Sequence, residues 1–474
     1  MYQFKRPPLK HQQDCLDLSI DKEAFAFLVD MGGGKTKITI DTVGTLFTEG
    51  KIDRWLCIAP NGIYKNWPNI EIPKDLPDGI PYVMQVWKEK EPRYSPNMPA
   101  IHTGHLMILV MNIEALSTKK GLAYAKQFVN KRTIVTVDES TTIKSHKAKR
   151  AESVVELGRE AGFRRILTGY PTPQNQLDLF MQFNFLDPNI FGIRSYYAFR
   201  NEYAVVKEVD LGPGRPRFPK IVGPRNVDQL KEKIAPYSFR IRKDECLDLP
   251  PKVYQIRQVE MGDDQQSAYD AMKRDALVAL SETEIATADM VLTQLTRLHQ
   301  ITCGFLRDSE GKIHRFKKNP KVEALKDILE ETSDKVIVWC NYVDNIEEVA
   351  DELRKLYGDG VVTYYGGTSQ KDRERAIESF QHGDAKVFIG NPATAGFGIT
   401  LTASSTVVYL SNSYNLEHRL QSEDRAHRIG QAKSVLYIDL ICDGTVDEKI
   451  VKALQSKKQL GTEILGDEWK EWIL

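Results

Sequence analysis

Two successive sets of short apolar runs, with helix-like segments between most of them, predict an α/β chain built on two parallel sheets in tandem. The first set covers residues 24–29, 55–59, 107–111, 134–137 and 165–167. The second covers 336–339, 361–364, 386–389, 407–410 and 435–440. Runs this short and this apolar fit strands covered on both faces. The two sets share no sequence repeat, so the duplication is one of architecture. Between them, residues 174–318 have a different character, with helical patterns over 264–281 and 284–300. The piece LGPGRPRFPKIVGPR (211–225) carries Arg215, Arg217, Lys220 and Arg225 and no acid. Its prolines predict a loop, either a solvated excursion or a contact to a phosphate backbone.

Composition sets bounds on this picture. The 474 residues are 41% hydrophobic and 27% charged, ample for large cores. Lys+Arg and Asp+Glu both number 65, so net charge neither announces nor excludes a nucleic acid partner. The six cysteines include no CxxC pair, which argues against a zinc site or a disulfide framework. The N-terminal stretch MYQFKRPPLKHQQD has no apolar core of a secretory signal, and no run approaches the ~18 apolar residues of a membrane helix. The expected setting is soluble and cytoplasmic.

The chemistry begins at MGGGKT, residues 31–36. The strict P-loop pattern wants a glycine where Val29 stands. What remains is Gly32, Gly33, Gly34, Lys35 and Thr36 between a strand-like FAFLV and a helix-like ITIDTV, which is the required context. Glycines there let backbone N–H groups close on phosphate oxygens at a helix N-terminus. Lys35 is placed to reach the β- and γ-phosphates and Thr36 to ligate Mg2+; the plain alternative is a glycine-rich turn. TIVTVDES supplies the second element, with Asp138 and Glu139 at the end of a strand. Asp138 is expected to hold Mg2+ and Glu139 to orient and deprotonate the attacking water. Late in the second set, LEHRLQSEDRAHRIGQ puts Gln421, Arg425 and Arg428 at i, i+4 and i+7 on a predicted helix. They are either arginine fingers with a neighbouring glutamine or a surface salt-bridge stripe.

These segments resemble the helicase-like ATPases of superfamily two, Swi/Snf type, from about residue 9 to residue 450. His11 and Gln12 look like the Q-motif that reads adenine, with Gln13 an alternative. DMGGGKT, CIAP (57–60) with Trp67, MNIEAL (111–116), DESTTIKSHKAKR and LTGYPTPQN (167–175) look like successive motifs of the first lobe. NFLDPNIFG (184–192), SFRIRKDECLDLPPK (238–252) and LTRLHQITC (295–303) resemble the family's helical insertions. VIVWCNY (336–342), YGGTSQKDR (365–373), TAGFGITLTA (394–403), QSEDRAHRIGQ (421–431) and GTVDEKI (444–450) resemble the later motifs. The chain departs from the family at Thr141, which stands for the DEAH histidine, at Tyr170 in the third motif, and at the Ala395-Gly396 pair.

The resemblance implies two RecA-like lobes: the first over 1–185, helical insertions and a linker over 186–318, and the second over 319–474. It implies ATP and Mg2+, with His11, Gln12, Met31, the three glycines, Lys35, Thr36 and Gly398 around the nucleotide. It further implies a DNA-stimulated ATPase that moves along double-stranded DNA, branched or forked forms included, and remodels or displaces what is bound there. Expected phosphate contacts are Asn61, Asn112, Asn341, Thr368 and Thr394. No accessory module fits between the motifs, so the chain reads as a bare monomeric motor of the kind expected in bacteria, phages or large viruses. The alternatives are a strand-separating or restriction-type motor of the same superfamily and an ATP-dependent binding switch.

Overall fold

Strand β1 (Ala24–Val29) shows why the first apolar runs become a sheet. All six of its side chains are buried, and they divide between two cores. Ala24, Ala26 and Leu28 enter one, while Phe25, Phe27 and Val29 enter the other. A strand alternates its side chains between faces, so only an unbroken apolar run suits a sheet covered on both sides.

In this computed structural model the residues described are 2–61, 63–87, 104–209, 218–246, 248–282, 288–308, 310–395 and 399–465. The other strands of the first sheet are β2 (Arg54–Ala59), β3 (Tyr82–Val86), β4 (Leu106–Asn112), β5 (Thr133–Asp138), β6 (Phe163–Leu167) and β7 (Ser238–Ile241). Their order is β3-β4-β2-β5-β6-β1-β7, and every pairing is parallel. Helix α1 (Lys10–Ser19) precedes β1, and helix α2 (Lys35–Thr48) follows it directly.

The second sheet comprises β8 (Lys252–Val259), β9 (Lys335–Trp339), β10 (Val361–Tyr364), β11 (Val387–Gly390), β12 (Ser404–Tyr409) and β13 (Val435–Cys442). Its order is β8-β13-β12-β9-β11-β10, again wholly parallel. Val336 and Val338 of β9 join one core, and Ile337 and Trp339 join the other. The two sheets anchor two separate compact units, and the chain first leaves the first unit's main body near Val206.

The ten strands expected from apolar runs are present. The three other strands of the two large sheets, β3, β7 and β8, are all at sheet edges. Their side chains are mostly half-buried or exposed, so they carry no continuous apolar run to read. Among its described residues SFRIRKDECLDLPPK holds one short helix, Lys243–Cys246, between two strands. It begins with β7, the edge of the first sheet, and ends at the start of β8, the edge of the second. The expected helices do occur, at Asp263–Glu282 and Ala288–Thr302. Residues Phe218–Pro224 of the proline-rich piece form a strand in a two-stranded sheet rather than a loop. Proline is tolerated on such an edge because a missing N–H there breaks no central ladder. Arg215 and Arg217 lie outside the described residues.

Candidate nucleotide-binding site

The loop between β1 and α2 has the shape of a phosphate cradle. Gly34 caps α2 in the left-handed region at φ 88°, which a side chain resists. A Cβ on Gly33 would lie 2.6 Å from Val29 Cγ1, so the turn closes only without one. Lys35 is buried, and its Nζ donates to the Val29 carbonyl at 2.8 Å, folding the ammonium back over the loop. Thr36 follows in the first turn of α2, half-buried, and Met31 is buried at the start of the loop.

The loop is held from two directions. From α1, His11 Nε2 lies 2.7 Å from the Gly33 carbonyl oxygen and Gln12 Nε2 donates to the same oxygen at 3.2 Å. A carbonyl only accepts, so His11 carries its proton on Nε2 here. Gln12 also accepts from the Leu9 N–H at 2.9 Å through Oε1. Gln13 instead bonds Asp17 on the exposed face of α1 and does not reach the loop. From β7, Arg240 Nη1 donates to Asp30 Oδ1 at 2.7 Å and to the carbonyls of Leu28 and Gly169. The Lys243 N–H donates to Asp30 Oδ2 at 3.1 Å. Arg240 was not among the expected site residues, because nothing in SFRI marks it until the parallel pairing of β7 with β1 is known.

Asp138 ends β5 and is buried. Trp67 Nε1 donates to its Oδ2 at 3.0 Å, and the Glu139 N–H donates to its Oδ1 at 3.0 Å. Each carboxylate oxygen is thus oriented by one donor and keeps a further lone pair. Burial raises the Asp138 pKa above the ordinary carboxylate value, opposed by the Lys35 ammonium and the Trp67 bond. A buried carboxylate that is costly to ionise and close to a buried ammonium suits a bound cation with phosphate beside it. Glu139 has left-handed backbone, φ 46°, which is uncommon for a residue other than glycine and recurs at functional sites. Donor loop, lysine and oriented carboxylate fit Mg2+ and a nucleoside triphosphate, which the loop, Lys35, Thr36 and Asp138 could hold. The ion would supply positive charge against the phosphate oxygens.

In the second unit, helix α3 (Leu416–Ala426) carries Gln421 and Arg425, both buried. Arg428 does not share the helix, which stops at Ala426 because His427 leaves helical backbone at ψ 82°. The two arginines nevertheless converge. Arg425 Nη1 donates to the Ile399 carbonyl at 3.1 Å and Arg428 Nη1 to the same oxygen at 3.2 Å. Arg425 is buried and Arg428 half-buried, so the pair does not form one exposed face of a helix. Gln421 Nε2 donates to Glu417 at 3.4 Å, and the Gln421 backbone carbonyl accepts from Arg425 Nε at 2.8 Å. Gly398 lies outside the described residues, directly before the carbonyl the arginines share.

Of the five expected phosphate contacts, Asn61, Asn341 and Thr368 sit in loops, Asn112 ends β4 and Thr394 lies in the short helix Pro392–Ala395; several have structural work of their own. Asn61 is exposed after β2. Asn112 accepts from the Ala115 N–H and caps a short helix. Asn341 gives its N–H to Ser411 Oγ and its carbonyl to Asn391. Thr368 closes a turn with Tyr365, and the Thr394 N–H bonds the Asn391 carbonyl.

Residues 12–305 match the SNF2-related domain and residues 320–430 the Helicase conserved C-terminal domain. The chain belongs to the SNF2-related family. An uncharacterized ATP-dependent helicase of Mycoplasma genitalium is 26% identical over 442 residues, covering 91% of this chain and 39% of that protein. The putative ATP-dependent helicase/translocase YwqA of Bacillus subtilis is 26% identical over 465 residues, covering 94% and 46%. The human DNA annealing helicase and endonuclease ZRANB3 is 26% identical over 458 residues, covering 95% and 40%. The chain thus spans less than half the length of each of these relatives. Within the SNF2-related match lie the cradle, Asp138, Glu139 and Arg240; within the helicase C-terminal match lie Gln421, Arg425 and Arg428. Thr141, in place of the family's histidine, is buried.

Proposed function

We propose that this SNF2-related chain hydrolyses ATP in a DNA-stimulated manner and uses the turnover to move along double-stranded DNA, remodelling or displacing what is bound. The observation that carries the ATPase half is the cradle with its carboxylate: a glycine loop closed by α1 and β7, Lys35 folded over it, and Asp138 oriented by Trp67. In this reading Lys35 binds phosphate charge, Thr36 and Asp138 hold Mg2+, and Glu139 accepts a proton from the attacking water. Gln421, Arg425 and Arg428 answer the charge that develops on the γ-phosphate. The DNA half is supported by family membership and by the names of relatives such as the B. subtilis helicase/translocase and the human DNA annealing helicase.

The test is the ATPase rate with single-stranded, duplex and forked DNA and with RNA, each at several lengths. Translocation on duplex DNA requires stimulation by duplex that rises with its length. A rate equal on short and long duplexes would favour a nucleotide-dependent binding switch. Separation of the strands of a forked substrate would favour an unwinding motor.

A further inference from the structure

The left-handed turn at Glu139 raises the question of what keeps it there. A non-glycine residue in that conformation persists only where its surroundings over-determine it. On its N-terminal side, the Glu139 N–H is fixed to Asp138 Oδ1. On its C-terminal side, the Glu139 carbonyl accepts from the Thr142 N–H at 3.0 Å, opening the short helix Ser140–Ile143. The side chain that anchors this short helix is Ser140, wholly buried, whose Oγ donates to Gln182 Oε1 at 2.7 Å.

Gln182 is itself wholly buried, in the helix Leu179–Leu186. Its Nε2 donates to the Pro171 carbonyl at 2.7 Å and to the Asp178 carbonyl at 2.7 Å. Both of those partners are acceptors, so the amide has one orientation and its oxygen must face Ser140. One amide therefore uses both N–H groups and its carbonyl to tie three segments together. They are the Asp138-Glu139 turn, the Gly169-Tyr170-Pro171 turn after β6, and the following helix.

We propose that Gln182 is a positioning residue for hydrolysis: through Ser140 it fixes the turn that aims the Glu139 carboxylate at the attacking water. This rests on Glu139 being the general base. The Ser140–Gln182 bond leaves the phosphate loop alone, since none of its partners belongs to residues 31–36. Its loss should therefore lower turnover and spare ATP affinity.

The experiment compares Gln182→Met, which keeps the length and removes all three bonds, with Ser140→Ala, which removes only the bond to the turn. Each is made alone, together, and in a Glu139→Gln background. ATP affinity is read by titration and kcat at saturating ATP and DNA, with melting temperature as a check on folding. Each single variant should lose roughly 10- to 100-fold in kcat, the scale of a small misplacement of a reacting group, with ATP affinity within threefold. The double variant should be no worse than the poorer single one, because both break one link. In the Glu139→Gln background neither should lower the residual rate further, which a general loosening of the fold would do. If Gln182→Met does not fold, Ser140→Ala decides the matter, since it deletes one oxygen from a small side chain. A folded Ser140→Ala with kcat within twofold of the parent overturns the proposal while leaving Glu139 as the base. An active Glu139→Gln protein instead overturns the base assignment on which the proposal rests.

Discussion

Lys35 and Glu139 occupy adjoining parts of one site, yet their substitution should separate binding from chemistry. Lys35 Nζ sits on the Val29 carbonyl at the base of the loop, where it can turn to a phosphate without leaving the cradle. Lys35→Ala should abolish turnover and weaken ATP binding together. Glu139 is tied into the carboxylate turn through both its N–H and its carbonyl. Glu139→Gln should therefore lower turnover by about 10²–10⁴-fold, the usual worth of a general base, while ATP affinity stays within a few-fold. Titration of both proteins with nucleotide, beside their steady-state rates, checks this. A Glu139→Gln protein that turns over normally would remove the base assignment.

Two elements of the second unit lend themselves to test. Where α3 ends, Arg425 and Arg428 share the Ile399 carbonyl although only the first is helical. If they act on the γ-phosphate, Arg425→Ala or Arg428→Ala should reduce turnover by about 10³-fold or more, with ATP affinity preserved because the first unit supplies the cradle. If they only secure the segment at Ile399, melting temperature will fall and turnover at saturating ATP will not. The helix Ala288–Thr302 carries a different sensitivity at His299. Burial pushes its imidazole down to about 4, with the nearby Lys321 ammonium adding to that and Asp447, 3.7 Å from Nε2, opposing it. Tyr342 OH lies 2.9 Å from Nδ1. A base whose folded pKa is depressed contributes stability that is whole above its ordinary value of about 6.5 and is lost as pH falls towards 4. The loss is at most about 3 kcal/mol. His299→Gln should therefore show a shallower fall in urea midpoint from pH 7.5 to pH 4.5 than the parent. Parallel falls in the two proteins would acquit His299.

At the scale of the whole molecule, Lys+Arg and Asp+Glu balance, so DNA binding should rest on local contacts rather than on net charge. Phosphate contacts release counterions, and a protein making 6–10 of them loses about 10³–10⁵ in affinity between 50 and 200 mM salt. Duplex affinity should follow a straight line in log salt and change little between unrelated sequences. Fluorescence anisotropy with two or three duplexes across that range measures both. A strong preference for one sequence at moderate salt would mark a base-reading module instead.

Ten strands, the glycine loop, the lysine and the carboxylate pair could be read directly from the chain, for one reason. A strand buried on both faces must be apolar throughout, and a phosphate loop must lie between such a strand and a helix, so each signal is local. The same locality placed Gln421 and Arg425 on one helix. What only the tertiary structure decided is non-local. The half-exposed edge strands β3, β7 and β8 carry no apolar signature, and the partners of β7 and β8 are far away in sequence. Arg240 meets Asp30 across 210 residues, Trp67 meets Asp138 across 71, and Gln182 meets Ser140 across 42. Gln12 closes on Gly33, and Arg428 turns back to Ile399 after its helix has ended. Side chains that bind are written into short motifs, because a ligand sees them together. Side chains that aim them are chosen by whichever distant segment packs alongside, and that is settled only when the sheets form.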